Sequence, residues 1–367
     1  MYMYIKRPEP IYKKIKRILK AKIEKGQFKP GDKLPSERVL SEECGVNRLT
    51  VNKAVSELAQ EGLIHRLCGK GTFVTGLAKK IGIKKGNNKK KEILFLVPQN
   101  ARIDFFTGPI LEAVRDKLNS HGKYSLGVNF FQSEGRIELE SFVNERVSGI
   151  IVLALKFSEY TLPESIKQIP IPIVFTSSHE DIPVDYVAFD NTGGAIRAVE
   201  YLISLGHEKI AFLAGPKDNI SANERLLGYE NALAKHGLEN NRTIIEGDWD
   251  EENGYKRMKK LLMRAPRPTA IFTASDSIAA GAIKAIHESH IKVPDDISVV
   301  GFGDFPVAKY IVPGLTTVSL PLEEMGKSLI ELLIFRMKGG ENRVGKRIKK
   351  KLKTKLVVRK SAGDCKY

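Results

Sequence analysis

The chain has 367 residues, 42% of them hydrophobic, and a formal net charge of +17, which is long enough for two or three domains that each bury a core. Its three cysteines (Cys44, Cys68, Cys365) stand far apart with no CxxC pair, which argues against a structural zinc site or a disulfide scaffold and fits a reducing cytoplasm. The opening "MYMYIKRPEP" lacks an apolar core of signal-peptide length, and no run approaches about 18 apolar residues, so no membrane partner is expected. Residues 9–75 read as helix, helix, helix, hairpin. In "PIYKKIKRILKAKIEKG" the residues Ile11, Ile15, Ile18 and Leu19 recur at helical spacing, with Pro10 near the start and Gly26 at the end. After the turn-rich "FKPGDKLP", Ser36 is placed to cap "SERVLSEEC", and Gly45 breaks that helix.

The third helix opens in "GVNRLTVNKAV". Val51, Ala54, Val55 and Leu58 fall on one face at spacings of three and four, while Arg48, Asn52, Leu49 and Lys53 share the other. One face is core and the other is free to touch something. Beyond Gly62, "LIHRL" and "TFV" flank "CGKG" as a hairpin. Residues 76–91, "GLAKKIGIKKGNNKKK", carry seven lysines without a sustained period and read as a basic linker.

From residue 92 onward β-like and α-like segments alternate. The runs "EILFLVP", "YSLGVNFF", "SGIIVLAL", "IPIVFTS", "HEKIAFLAG", "TAIFTAS" and "DISVVGFG" have buried-strand length, with helical patterns such as 109–120 and 135–146 between them. Alternation of this kind implies parallel sheets covered on both faces, with ligands beyond the carboxyl ends of the strands. Some 270 residues exceed one sheet's worth, so two similar lobes with a cleft between them are expected. The fold class is therefore α/β: an N-terminal helix-turn-helix unit, then a two-lobed unit with parallel sheets.

The charge is unevenly placed. Residues 1–91 carry a net +15, residues 92–342 carry −8, and residues 343–360 hold ten basic side chains and no acidic one. Such asymmetry suggests a polyanion partner for the N-terminal part, most often nucleic acid; solvated lysine-rich surface is the other reading.

The stretch "GDKLPSERVLSEECGVNRLTVNKAVSELAQEGLIHRLCGKGTFV" resembles the GntR family of bacterial winged-helix repressors, in its "LPSER" opening, Gly turn, recognition helix and "GKGTFV" wing. The resemblance implies DNA contacts from Arg38, Asn47, Arg48, Thr50, Asn52, Lys53, Gly69 and Lys70. Many members carry arginine where this chain has Asn52. The physics agrees: a helix fits the major groove, arginine pairs bidentately with guanine, asparagine pairs with adenine, and the backbone around Gly69 and Gly71 can face phosphates.

The motifs "VDYVAFDNTGGAIRAVEYLISLGHEKIAFLAGP", "ERLLGYENAL", "VPDDISVVGFGDFPVAKYIVPGLTTVSLPLEEMG" and "KLVVRKSAG" resemble the LacI/GalR effector domain, itself similar to periplasmic sugar-binding proteins. Joining it to a GntR-type head is the architecture of arabinose repressors. The implied domains are 1–75 (winged helix), 76–91 (linker) and 92–367 (effector binding and dimerisation). The implied pocket positions are Phe106, Ser221, Arg225, Trp249, Ser275 and Asp304. Arg225 can pair with hydroxyls or a carboxylate, and an indole such as Trp249 suits the apolar face of a sugar ring. Trp249 as plain core, and Asp304 as a helix-capping or interdomain residue, stay open. Where relatives read Gly-aromatic-Asp-Asp, this chain reads "GFGD", so Gly303 lacks the first carboxylate and the ligand is expected to differ, with a phosphorylated or acidic one among the options.

Catalytic constellations are not found. "GKGT" lacks the spacing of a phosphate loop, "HESH" at 287–290 is not HExxH, and GxSxG is missing. No enzyme activity, metal or cofactor is expected. The expected protein is a cytoplasmic, homodimeric, ligand-responsive transcription regulator of repressor type, binding a palindromic double-stranded operator under control of a carbohydrate or its derivative. A sugar-binding transport component and a non-specific architectural DNA binder are the alternatives; the DNA-binding block counts against the first, and salt dependence combined with sequence preference discriminates the second.

Overall fold

The computed structural model describes residues 11–24, 26–28, 31–60, 63–67, 71–74, 91–98, 105–131, 139–153, 169–177, 184–339 and 347–366. They form two compact units, Met1–Lys89 and Lys90–Tyr367.

The first unit contains α1 (Ile11–Glu24), α2 (Glu37–Cys44), α3 (Arg48–Gln60), β1 (Ile64–Leu67) and β2 (Gly71–Val74). Ser36 caps α2 by accepting from the Val39 N–H at 3.3 Å, and Gly45 ends it at φ 62°, a left-handed conformation in which a Cβ would be strained. These two local signals fix the sharp turn between α2 and α3. Val51, Ala54, Val55 and Leu58 are buried, as their spacing requires, and pack with Ile15, Leu19, Ile23, Leu34, Leu40, Ile64 and Val74 into one core. Two of the four apolar positions of α1 behave otherwise: Ile11 and Ile18 are exposed, and Ile23 with half-buried Tyr12 takes the inward side. β1 and β2 pair antiparallel from Ile64↔Val74 to Leu67↔Gly71, and Lys33 adds a bridge to Phe73, giving the wing a third short edge.

The second unit holds two six-stranded sheets. In chain order come β3 (Lys91–Pro98), α4 (Thr107–His121), β4 (Tyr124–Phe131), β5 (Val147–Val152), β6 (Ile173–Phe175), β7 (Asp185–Phe189), α5 (Asn191–Ser204), β8 (Ile210–Leu213), α6 (Ile220–Lys235), β9 (Thr243–Ile245), α7 (Glu251–Leu262) and β10 (Ala270–Thr273). After them follow α8 (Asp276–Glu288), β11 (Ser298–Gly303), α9 (Pro306–Tyr310), β12 (Thr316–Ser319), α10 (Leu322–Lys338), β13 (Lys349–Leu352) and β14 (Lys355–Val357). Lys91, assigned to the linker by composition, opens β3 instead. The stretch 135–146 is not an α-helix in its described part: a single 3-10 turn spans Leu139–Phe142, because only Leu139 turns fully into the core.

The N-lobe sheet is all parallel in the order β13-β7-β6-β5-β3-β4, and the C-lobe sheet has the order β14-β12-β11-β10-β8-β9 with only β14 antiparallel. Strands such as β8 and β10 are buried at every residue, as two-faced coverage demands. The chain passes between lobes three times: after β7, after β12, and between β13 and β14. At two of these crossings Thr354 Oγ1 donates to the Asp190 carbonyl at 3.1 Å, and Arg197 Nη2 donates to Thr354 Oγ1 at 2.7 Å and its carbonyl at 3.0 Å. Because the chain leaves β7 and β12 at their carboxyl ends to change lobe, those ends meet across the interlobe cleft.

Candidate functional site

The reading head is set by α2 and α3. Asn47 caps α3: its Oδ1 accepts from the Thr50 N–H at 2.9 Å and from Thr50 Oγ1 at 3.0 Å, so of its predicted donors and acceptors only the amide nitrogen is left for a base. Asn52 departs from its expected role, since its Nδ2 donates to both Glu37 carboxylate oxygens at 3.0 and 3.1 Å and braces α3 against α2. Lys53 stays exposed, with its Nζ 4.3 Å from the centroid of the Tyr12 ring on α1. The bracing by Asn52 was not legible in the spacing, because it depends on how α2 flanks α3. Arg48 opens α3 and Arg38 lies within α2, with side chains outside the described residues, as Gly69 and Lys70 are altogether.

In the C-lobe, the carboxyl ends of β8, β9, β10 and β11 gather Gly215, Trp249, Ser275 and Gly303 around Arg225, which α6 supplies from its second turn. Arg225 is buried. Its Nε donates to Asn191 Oδ1 at 3.0 Å, Nη1 donates to the Ala274 carbonyl at 2.5 Å, and Nη2 has no hydrogen-bond partner among the described residues. The guanidinium carbon sits 4.0 Å over the Phe302 ring and 5.6 Å from the Trp249 ring. Burial pulls its pKa down to about 9, against the opposing pull of Glu224 and Asp276, so it stays a cation at neutral pH. This is a guanidinium fixed on three sides, with its last nitrogen uncommitted.

Asn191 and Phe302 escaped the sequence reading, although both lie inside motifs that were singled out. Asn191 Nδ2 donates to Glu224 Oε2 at 2.8 Å, so it holds both Arg225 and the neighbouring carboxylate. The indole of Trp249 covers Gly215, where an added Cβ would lie 2.7 Å from the ring. Ser221, half-buried on the same turn as Asn219, makes no hydrogen bond among the described residues. Ser275 is the cap of α8: its Oγ accepts from Ile278 N–H and donates to the Trp249 carbonyl, both at 3.3 Å. On the facing lobe Phe106 opens α4 and meets Phe189, the last residue of β7, edge-on at 6.2 Å between centroids.

Asp304 differs from its expectation as an effector acceptor. Its Oδ1 takes a 2.6 Å bond from Arg359 Nη2, tying the segment after β14 to the β11 end within the C-lobe. At Gly303, φ is 137°, and an added Cβ would lie 2.6 Å from the Phe305 ring. The aromatic ring of Phe305 thus fills the space of a side chain at 303, a cause local enough to be read in "GFGDF". The buried carboxyl beside it is Asp276, which accepts from the Phe305 N–H at 2.7 Å and from Thr317 Oγ1 at 2.5 Å. Burial raises its pKa to about 6, and the Thr317 and Phe305 donors oppose that rise.

A cavity of about 710 Å³ lies elsewhere, at the amino ends of β8, β10 and β11, lined by Lys209, Arg267, Thr269 and Cys365 among others. No group of three or more His, Cys, Asp or Glu among the described residues could hold a metal ion, and no helix there is long and apolar enough to cross a membrane.

A winged helix-turn-helix on the same chain as paired parallel sheets that converge on a fixed guanidinium is the build of a ligand-binding transcription regulator. Residues 11–74 match the bacterial regulatory proteins of the gntR family, and residues 199–362 match the periplasmic binding protein-like domain. The chain is 32% identical over 324 residues to the HTH-type transcriptional regulator CelR of Thermobifida fusca, spanning 86% of this chain and 89% of that protein. It is similar to a CelR–cellobiose complex, with a TM-score of 0.65 and 26% identity over 89% of this chain and all (100%) of that one. A Lac repressor dimer bound to operator gives 0.65 and 26% over 78% and 97%. The chain belongs to this family of HTH-type transcriptional regulators, with a GntR-type head and a LacI-type effector domain.

Proposed function

We propose that the protein represses transcription by holding an approximately palindromic operator through α3 and the wing, and that a carbohydrate or carbohydrate derivative bound against Arg225 and Trp249 controls that grip. The reading rests on one observation above the others: a guanidinium anchored by Asn191 and Ala274, with an indole beside it, at the converging strand ends of a chain that also carries a recognition helix. The domains run 1–75 for the head, 76–90 for the linker and 91–367 for effector binding and dimerisation. Arg38, Arg48, Lys53, Gly69 and Lys70 join Asn47 and Thr50 as the DNA-contacting set, and Phe106, Ser221, Arg225, Trp249 and Ser275 form the effector set. The protein acts in the cytoplasm at the nucleoid.

The anchor suggests how a ligand is felt. Arg225 is bonded to Asn191, which follows Asp190 at the first crossing, and the Asp190 carbonyl is bonded to Thr354 at the third. A ligand that draws on Arg225 shifts the balance between lobe arrangements, and two dimer-related heads then lose register with half-sites one helical turn apart. A second copy docks through the exposed side chains Tyr310 and Val312 beside α9.

The test starts with an operator selected from a random duplex pool and a thermal-shift screen of sugars, sugar acids and sugar phosphates. Trp249 is the only tryptophan, so binding should change intrinsic fluorescence, and Arg225→Ala should remove that change while the thermal transition persists. Arg48→Ala should lose about 1–3 kcal/mol on the operator and blur base preference. A hit that leaves fluorescence and the Arg225→Ala affinity untouched removes the cleft assignment, and equal operator affinity of Arg48→Ala removes the recognition helix.

A further inference from the structure

The basic run near the C-terminus is not absorbed by either site. It lies on the third crossing, where β13 ends one edge of the N-lobe sheet and β14 ends one edge of the C-lobe sheet. Leu352 and Thr354 are buried at 2% and 4% exposure, whereas Lys349, Lys350, Lys351, Lys353 and Lys355 are exposed. From Lys351 to Lys355 burial alternates residue by residue, which puts Lys351, Lys353 and Lys355 in a single row on one side of the chain path. At roughly 3.3 Å per residue, neighbours in the row stand about 6.6 Å apart and its ends about 13 Å apart. The backbone beneath is held by the parallel pairing of β13 to β7, the antiparallel pairing of β14 to β12, and the Arg197–Thr354 bonds. Lys350, of opposite parity, is spent on Ser328 Oγ at 2.8 Å. The side chains of Lys351, Lys353 and Lys355 have no hydrogen bond or ion pair among the described residues.

General lysine richness does not explain the row, because residues 92–342 carry a net charge of −8, while no acidic residue occurs in 343–360. We propose that this row is a second, sequence-independent DNA surface that neutralises backbone phosphates of duplex DNA. A DNA strand offers one phosphate per about 3.4 Å of helix axis, a charge density above that of the row, so each of the three lysines can meet a phosphate. Lysine is depleted from protein–protein interfaces, where aromatic side chains anchor, and this row carries none; evenly spaced point charges suit a regular polyanion. The surface needs no base reading, so it stands apart from the operator assignment.

The experiment uses the full chain and a 30-base-pair duplex of random sequence, with binding followed by anisotropy across a potassium chloride series. Each neutralised phosphate contributes about 0.9 to the slope of log Kobs against log salt, so K351Q/K353Q/K355Q should flatten the slope by about 2–3. The charge-retaining K351R/K353R/K355R should keep the wild-type slope, which separates charge from any disturbance of the crossing. A glutamine variant with the wild-type slope, or an arginine variant as flat as the glutamine one, overturns the proposal. So does poly-glutamate binding lost with these lysines while the DNA slope stands. Arg48→Ala that leaves operator affinity intact sinks the recognition-helix reading alone, because the random duplex reports the row independently.

Discussion

Replacing Asp276 with asparagine tests the electrostatics at the head of α8. The carboxyl is fully buried, beside Asp304 on one side and Arg225 on the other, and its pKa is raised from 3.8 to about 6, chiefly by burial. A raised folded-state pKa means that the folded chain binds this proton more tightly than the unfolded chain does. The associated stability is complete below about pH 4 and is lost as pH rises through about 6, to a total of about 3 kcal/mol. Asparagine resembles the protonated carboxyl in shape, can accept from the Phe305 N–H and can donate to Thr317, and it does not titrate. The stability of Asp276→Asn relative to wild type should therefore climb by about 3 kcal/mol between pH 4 and pH 8, with most of the rise in that window. Urea unfolding at a series of pH values, read through the fluorescence of Trp249 as the sole tryptophan, follows the lobe that contains both residues. Other carboxylates titrate in the same range, but they cancel in the difference between the two proteins. A difference that stays flat from pH 4 to pH 8 would refute the picture of a desolvated carboxylate at this position.

The remaining predictions concern other joints of the molecule. Gly303→Asp restores a carboxylate where an added Cβ meets the Phe305 ring at φ 137°, so it should destabilise the effector unit by about 1–3 kcal/mol in denaturant unfolding; unchanged stability would mean that Phe305 moves aside freely. Asn52→Ala removes both bonds to Glu37 and should lower head stability by about 1–3 kcal/mol in hydrogen-exchange protection of α2 and α3; intact protection with altered base preference would return Asn52 to the DNA face. Tyr310→Asp puts a charge on a side chain that is 83% exposed, and sedimentation should show monomers at micromolar concentration, whereas an unchanged dimer places the interface elsewhere.

Local chemistry made the head legible. A cap at Ser36, a left-handed glycine at Gly45 and an apolar stripe from Val51 to Leu58 each act within one or two turns, so the spacing alone carries them. Long buried strands such as β3 announced themselves for the same reason. The three-residue strands β9 and β14, and β13 with its sequence "KKKL", did not, because their hydrogen-bond partners across the sheet, not their own composition, make them strands.

The candidate site was legible only as a set of residue types, since its geometry is assembled from distant stretches of chain. Asn191 meets Arg225 across 34 positions, and Arg225 meets Ala274 across 49, distances that only the packing of α5 on α6 and the order β10-β8 in the sheet can close. Asp304 shows the same limit from the other side. A carboxylate two residues past the aromatic of "GFGD" reads as an open acceptor until Arg359, 55 positions on, is folded beside it. What decides whether a polar group in this lobe is available to a ligand is therefore which crossing segment reaches it first. Arg225 keeps one nitrogen uncommitted because the crossing at Asp190 brings Asn191 to its Nε, whereas the returning C-terminal segment brings a cation to Asp304 and occupies it. The same topology that hides the site from sequence selects which of its groups remain free to bind.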